Sequence, residues 1–359
     1  MLIYFIVMAI VVVLASQAGR PIKKEQRILL YALCVLVMTL LAGFRNVSVG
    51  TDSGNYVHMF NLTRSVDDLQ FAKLEKGYFV LCLIAHTMSD NYWSIFFVVA
   101  LSVSICFIWT ISRWSLMPWV SIFALFVSGS YAMSWNGTRQ GLAVALVFAA
   151  FAALLARKLW LFGSLVVLAS FFHVTAIIAF PMCFMIIRKG QAWLRFAIVA
   201  AAGVAIANFD WLVEQGMQVD ERLARYGGAS TVGEGRGLLV TAFLCILCLF
   251  FYAFRRFIST NGPIYDALLN LFFIGVVIAL VSAIRGTGGS GMRRLALYFT
   301  TSEILLWPIV FTNLRRQQTK ANLLIAFLFM YSIYYGATLQ AFSNMVPFAF
   351  NPIIQQWFR

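Results

Sequence analysis

Long apolar runs make up most of the chain, and short polar clusters separate them. Runs near 2–16, 28–44, 92–111, 117–135, 140–156, 159–172, 174–187, 193–209, 237–254, 265–284, 295–312 and 321–340 each predict an apolar helix. A helix needs roughly 20 such residues to cross the hydrocarbon core of a bilayer. Residues 77–88 are apolar over only part of that length, so they predict a re-entrant or interfacial segment. The runs 159–172 and 174–187 are also short and predict a hairpin of tilted or broken helices, with Pro181 ending regularity. The pattern as a whole predicts an all-α polytopic integral membrane protein, with about twelve transmembrane helices plus the re-entrant segment. It forms one transmembrane domain over 1–359, and two longer polar segments, 45–91 and 210–236, fold back onto the membrane face.

Composition agrees with lipid as the solvent. Of 359 residues, 62% are hydrophobic and 11% charged, whereas soluble domains carry roughly 25% charged residues. The formal net charge of +14 does not point to nucleic acid, because the basic residues lie in short clusters between apolar runs. Those clusters are Arg20/Lys23/Lys24/Arg27, Arg113, Arg157/Lys158, Arg188/Lys189/Arg195, Arg255/Arg256 and Arg315/Arg316/Lys320. Placing all of them in the cytoplasm puts both chain ends outside. Ten of the thirteen acids then fall outside, although the acids were not used to choose the sides. Glu303 is left near the middle of a helix.

The cysteines lie in apolar runs, and the Cys245/Cys248 pair has no second pair or nearby histidine to make a metal site. There is no phosphate-binding loop, zinc spacing or nucleophile elbow. No metal and no cofactor are expected. Leu2 to Ser16 has no basic segment before it and reads as a retained helix.

Five arginines fall on the outer side, where the cytoplasmic charge bias does not explain them: Arg45, Arg139, Arg285, Arg293 and Arg294. Each either pairs with an outer acid, snorkels to headgroups, or grips an anion. A group of them converging from different helices suits a diphosphate. Arg139 and Gln140 open a helix, whose free N–H groups also favour an anion. His173 lies in an apolar stretch, either as a proton acceptor or as a histidine bonded to a carbonyl across helices. Glu303 is a further candidate as an intramembrane carboxylate. Tyr56, Tyr78, Trp93 and Trp135 are outer aromatics, and the two Trp residues read as an interfacial belt.

In order along the chain come Arg45 with Gly50-Thr51-Asp52 and Tyr56, then Glu75-x-Gly77-Tyr78, Arg139-Gln140-x-x-Ala143, and Ala169 to His173 with Pro181 downstream. This series, with Arg293-Arg294-Leu295-Ala296-Leu297-Tyr298 as a looser match, resembles the EpsG family, which contains Wzy-type polysaccharide polymerases. The resemblance implies an architecture similar to membrane-embedded, lipid-phosphate-dependent glycosyltransferases. It implies a bacterial cytoplasmic (inner) membrane enzyme with its site facing the periplasm or exterior. A growing glycan on undecaprenyl diphosphate would pass to the non-reducing sugar of another lipid-linked repeat unit. The partners implied are lipid-linked oligosaccharide and polysaccharide, the bilayer, and a regulator of chain length where one exists. Arginines would stabilise the departing diphosphate, so metal is not required. His173 leads as the base that takes the acceptor proton, with Asp52 and Glu75 next. Arg45, Tyr56, Tyr78, Arg139, Gln140, Arg285, Arg293, Arg294 and Glu303 would bind diphosphate and glycan. A ligase acting on the same donor, or a flippase for the repeat unit, are the alternatives.

Overall fold

The computed structural model describes residues 1–70, 75–183, 234–284, 291–341 and 344–357, with scattered positions between 197 and 215. The chain forms two compact units: Met1–Ile178 with Leu314–Arg359, and Ala179–Asn313.

In the first unit, α1 (Leu2–Ala18) and α2 (Lys24–Gly43) form a hairpin. Next come α3 (Ser53–Leu62), a 3₁₀ turn at Val66–Gln70, α4 (Lys76–Met88) and α5 (Trp93–Trp114). Then follow α6 (Pro118–Val127), α7 (Ser130–Asn136), α8 (Thr138–Leu155) and α9 (Leu159–Phe172), with a 3₁₀ turn at Val174–Ala179. The second unit contains α10 (Glu234–Phe254), α11 (Gly262–Ile284), α12 (Gly291–Thr300) and α13 (Glu303–Asn313). The chain returns to the first unit through α14 (Gln317–Ala341) and α15 (Pro352–Trp357).

Among the described residues, seven helices are long and apolar enough to cross a membrane. Their outward faces carry apolar side chains. Leu238, Leu239, Ile246 and Leu249 of α10 and Ile325, Phe329, Met330 and Ile333 of α14 are exposed. Such contiguous apolar surface is stable against hydrocarbon and unstable against water. By contrast α8 is buried nearly all round, its small residues Ala143, Ala145, Ala149 and Ala152 letting neighbours approach closely.

Within the first unit the helices alternate direction and sort the polar residues. Gly19, after α1, lies against Pro118 at the start of α6. Phe44, after α2, packs in a tilted pair against Trp93 at the start of α5, at 5.4 Å between ring centroids. Phe327 of α14 meets Phe123 of α6, and Tyr335 meets Phe5 of α1. One end therefore gathers Arg20, Lys23, Lys24, Arg113, Arg157, Lys158, Arg315 and Arg316. The opposite end gathers Arg45, Asp52, Glu75 and Arg139.

Several expected helices take another form. Residues 117–135 break into α6 and α7 at Gly129, which has φ +79°. Residues 77–88 form one regular helix, α4. Glu75 before α4 meets Arg139, and Asn91 after it bonds Asn351, whose amide reaches Phe44. Both ends of α4 thus lie at the same end of the unit. The run expected at 174–187 begins as a 3₁₀ turn, and 184–187 lie outside the described residues, as do most of 193–209 and of 210–236. Residues 295–312 fall in one apolar span, Arg294–Asn313, that turns at Thr301–Ser302; Glu303 opens α13 just past the turn and lies near the middle of the span.

In the second unit, the Asn313 side-chain oxygen accepts from the Ser259 and Thr260 amides at 2.9 and 3.0 Å. Arg255 grips Asp266 through both carboxylate oxygens. These contacts tie the α10–α11 turn to the end of α13.

Candidate functional site

The site end of the first unit is built around a loop, 44–52, that leaves α2. A segment far along the chain straps this loop down. Asn46 N–H donates to Ala349 O at 2.8 Å, Gly50 N–H to Asn344 O at 3.0 Å, and Asn351 N–H to Phe44 O at 2.8 Å. Arg45 and Phe350 form an antiparallel bridge, and Tyr4 OH donates to Met345 O at 2.6 Å. On its other side the loop meets the turn before α8, where Asn136 Oδ1 accepts from Thr51 N–H at 2.9 Å. Gly50 makes this possible: its φ is +100°, and a Cβ there would lie 2.7 Å from Asn136 Oδ1.

Arg45 sits inside this frame and is only 2% exposed. Nη1 donates to Ala42 O in the last turn of α2 at 2.6 Å, and Nη2 to Trp135 O in the last turn of α7 at 3.2 Å. Its guanidinium lies 3.8 Å from the Phe96 ring centroid and 5.5 Å from that of Trp135. A cation is well placed at two helix C-termini, whose unpaired carbonyls carry partial negative charge. Burial pulls this guanidinium down to about 10, and it stays charged at neutral pH. Arg45 has no carboxylate partner among the described residues, and its Nε is buried with no partner. The arginine expected to face an outer ligand is therefore turned inward, onto helix ends. Trp135, expected at the membrane interface, is buried against Tyr4, Tyr131 and Phe348.

Arg139 is arranged differently. It lies in the first turn of α8, where Nη1 meets the Glu75 carboxylate. Its guanidinium lies 5.9 Å from the Tyr56 ring centroid. The side chains of Arg139 and Glu75 are 18% and 9% exposed. Tyr56 and Tyr78 are ring neighbours at 5.7 Å, and both are buried. Three polar groups here are buried with no partner: Arg139 Nε, Thr138 Oγ1 and the Tyr78 hydroxyl. Each costs free energy when left unmade, and together they offer donors at a helix N-terminus. Gln140, next in α8, is also buried. Asp52 caps the start of α3 and is half-buried. Its carbonyl accepts from the Asn55 and Tyr56 amides and so positions Tyr56.

His173 follows the last residue of α9. Its helix end is pressed onto α4: a Cβ on Gly77 would lie 2.8 Å from Phe171 O. His173 thus reaches the neighbourhood of Glu75 and Tyr78, but it is half-exposed, not buried. Its Nδ1 lies 2.8 Å from Thr175 Oγ1 and 3.4 Å from the Thr175 amide nitrogen. Which of the two ring nitrogens carries the proton depends on the tautomer.

Asn136 and Thr138 directly precede Arg139 and Gln140 at the start of α8. Sequence reasoning did not single out the strap at 344–351 as part of the site. In the second unit, Glu303 is buried at the start of α13 and Arg294 is partly buried in α12. Arg293 also belongs to α12. Arg285 lies outside the described residues.

The chain was compared with known proteins. A family model described as the EpsG family matches residues 28–350. No curated protein and no solved structure matches.

Proposed function

The chain belongs to the EpsG family, and on that premise we propose that it is a Wzy-type polysaccharide polymerase acting on lipid-linked glycans. The observation that carries the reading is Arg139, a cation at a helix N-terminus beside donors that have no partner. The donor is a glycan on undecaprenyl diphosphate. The acceptor is the non-reducing sugar of a second lipid-linked repeat unit, at the outer face of a bacterial inner membrane. Diphosphate is a good leaving group, so the main demand on the protein is to stabilise charge as the C1–O bond breaks. Arg139, the first amides of α8, Thr138 and Tyr78 supply fixed donors for that charge. Arg45 fixes the frame by joining the ends of α2 and α7. Tyr56 and Tyr78 offer ring faces to the sugars. Glu75 is favoured as base over Asp52 and His173, because its carboxylate is paired with Arg139 and so stands beside the proposed diphosphate position. Arg293, Arg294 and Glu303 remain proposed contacts to the glycan carrier.

The test is to embed the full chain in lipid and supply undecaprenyl-diphosphate repeat units with neither nucleotide nor metal. A ladder of chain lengths is expected. A single transfer to another acceptor, with no ladder, would support a ligase. Movement of the repeat unit across the bilayer without bond formation would support a flippase.

A further inference from the structure

We infer that Arg139 is shared by exchange: a bound diphosphate draws its guanidinium off Glu75, and Glu75 then takes the acceptor hydroxyl proton. The reaction half of this inference rests on the polymerase reading; the binding half does not.

The argument begins with charge. Arg139 already has an anion, because its Nη1 is on Glu75, and both side chains are largely buried. Adding a diphosphate to the same guanidinium beside an ionised Glu75 would place like charges together in a poorly solvated site. Something must give, and the local geometry says what. The start of α4 is fixed by backbone contact at Gly77 with Phe171 O, and α8 is enclosed by its neighbours. The Glu75 side chain is the movable partner. Arg139 also has spare capacity, since Nε is buried with no partner. Nε–H lies parallel to an Nη2–H, so phosphate oxygens can first meet this side of the guanidinium, and their charge then works against Glu75 on Nη1.

The exchange has a chemical consequence. A buried carboxylate that loses its counter-charge favours its protonated form. Proton transfer to Glu75 is therefore most favourable when the diphosphate holds Arg139. The step balances as follows. The acceptor O–H proton moves to a Glu75 oxygen, and the acceptor oxygen forms a bond to C1 of the donor sugar. The C1–O bond to diphosphate breaks, and its electron pair leaves on the diphosphate, facing Arg139. Base action is thereby tied to the presence of a lipid-linked donor.

The test uses the full chain in lipid nanodiscs and compares the native protein with Glu75→Gln. Binding is measured with undecaprenyl diphosphate and, separately, with inorganic pyrophosphate. Polymer formation is measured with undecaprenyl-diphosphate repeat units. The exchange predicts opposite changes. Glu75→Gln should bind both anions about tenfold more tightly, the size of one charge-assisted hydrogen bond, and should polymerise about a hundredfold or more slowly. Equal or weaker binding of either anion would overturn the exchange, as would a normal rate. Tightening for the lipid alone would also overturn it, since the competition is for phosphate charge. Glu75→Asp, which retracts the carboxylate while keeping its charge, guards against a folding defect. Its affinity should fall between the other two, and affinity at or below native would count against the exchange. Failure of the native chain to form a ladder would remove the polymerase reading while leaving the binding result to stand.

Discussion

Arg45 and Arg139 stand at adjoining helix ends of one unit, yet their surroundings differ in kind. Arg45 is enclosed by two helix C-termini and an aromatic face; its Nε too is left without a partner, but among the described residues no carboxylate balances it. Arg139 lies at a helix N-terminus, balanced by an acid and with a donor left over. A cation at a helix C-terminus stabilises the fold. One at an N-terminus adds to a positive field that favours an anion. On the proposed function, the same residue type is a fastening in one place and a ligand group in the other. Helix polarity decides between the two.

Substitutions can break this comparison. Arg139→Ala should have the largest effect on activity, lowering polymer formation about 100–1000-fold with little loss of thermal stability beyond that of its ion pair. Polymer yield per inserted protein checks it; near-normal yield would remove Arg139 from the site. Arg45→Ala should leave two buried helix-end carbonyls without their donor and lose a desolvated cation–π contact. A stability loss of roughly 3 kcal/mol is expected, read as a lowered unfolding temperature in detergent, with activity falling in step. An Arg45→Ala protein with native stability and no polymer would mean that Arg45 acts on substrate directly.

Gly50→Ala sharpens the frame argument. Positive φ and the close Asn136 oxygen should cost about 1–2 kcal/mol, with stability and activity falling together. Arg64→Ala is expected to do least. Its pair with Asp90 is well exposed at 3.3 Å, so stability should change by about 0.5 kcal/mol or less, and the ladder should be unaltered.

The apolar helices were legible because hydropathy responds directly to lipid as solvent, and seven spans among the described residues are long enough to cross a membrane. The pairing of Glu75 with Arg139 lay within the quoted motifs, though not as a contact, since 64 residues separate the two. Other features had no local signature. The break at Gly129 depends on a backbone angle inside an apolar run. Thr300, Thr301 and Ser302 are few enough to pass within a long apolar window, so the turn before Glu303 was not visible. The burial of Arg45 depends on carbonyls of Ala42 and Trp135, and backbone acceptors are the same whatever the residue type. The strap at 344–351 has no helical periodicity to betray it, and its worth lies in partners from the opposite end of the sequence.

That strap also sets a schedule. The Ser48 carbonyl accepts from the Asn344 side chain across 296 residues of sequence. At 5–20 residues per second, synthesis of the intervening chain takes roughly 15–60 s. Until then α1, α2 and the Arg45 loop are already made, and the loop has only its contacts with Trp135 and Asn136 to fasten it. The early helices must therefore wait in the bilayer in an unfinished form. An insertion factor or early neighbouring helices that shield them would govern yield, and a slow codon run placed late in the message would lengthen the vulnerable interval.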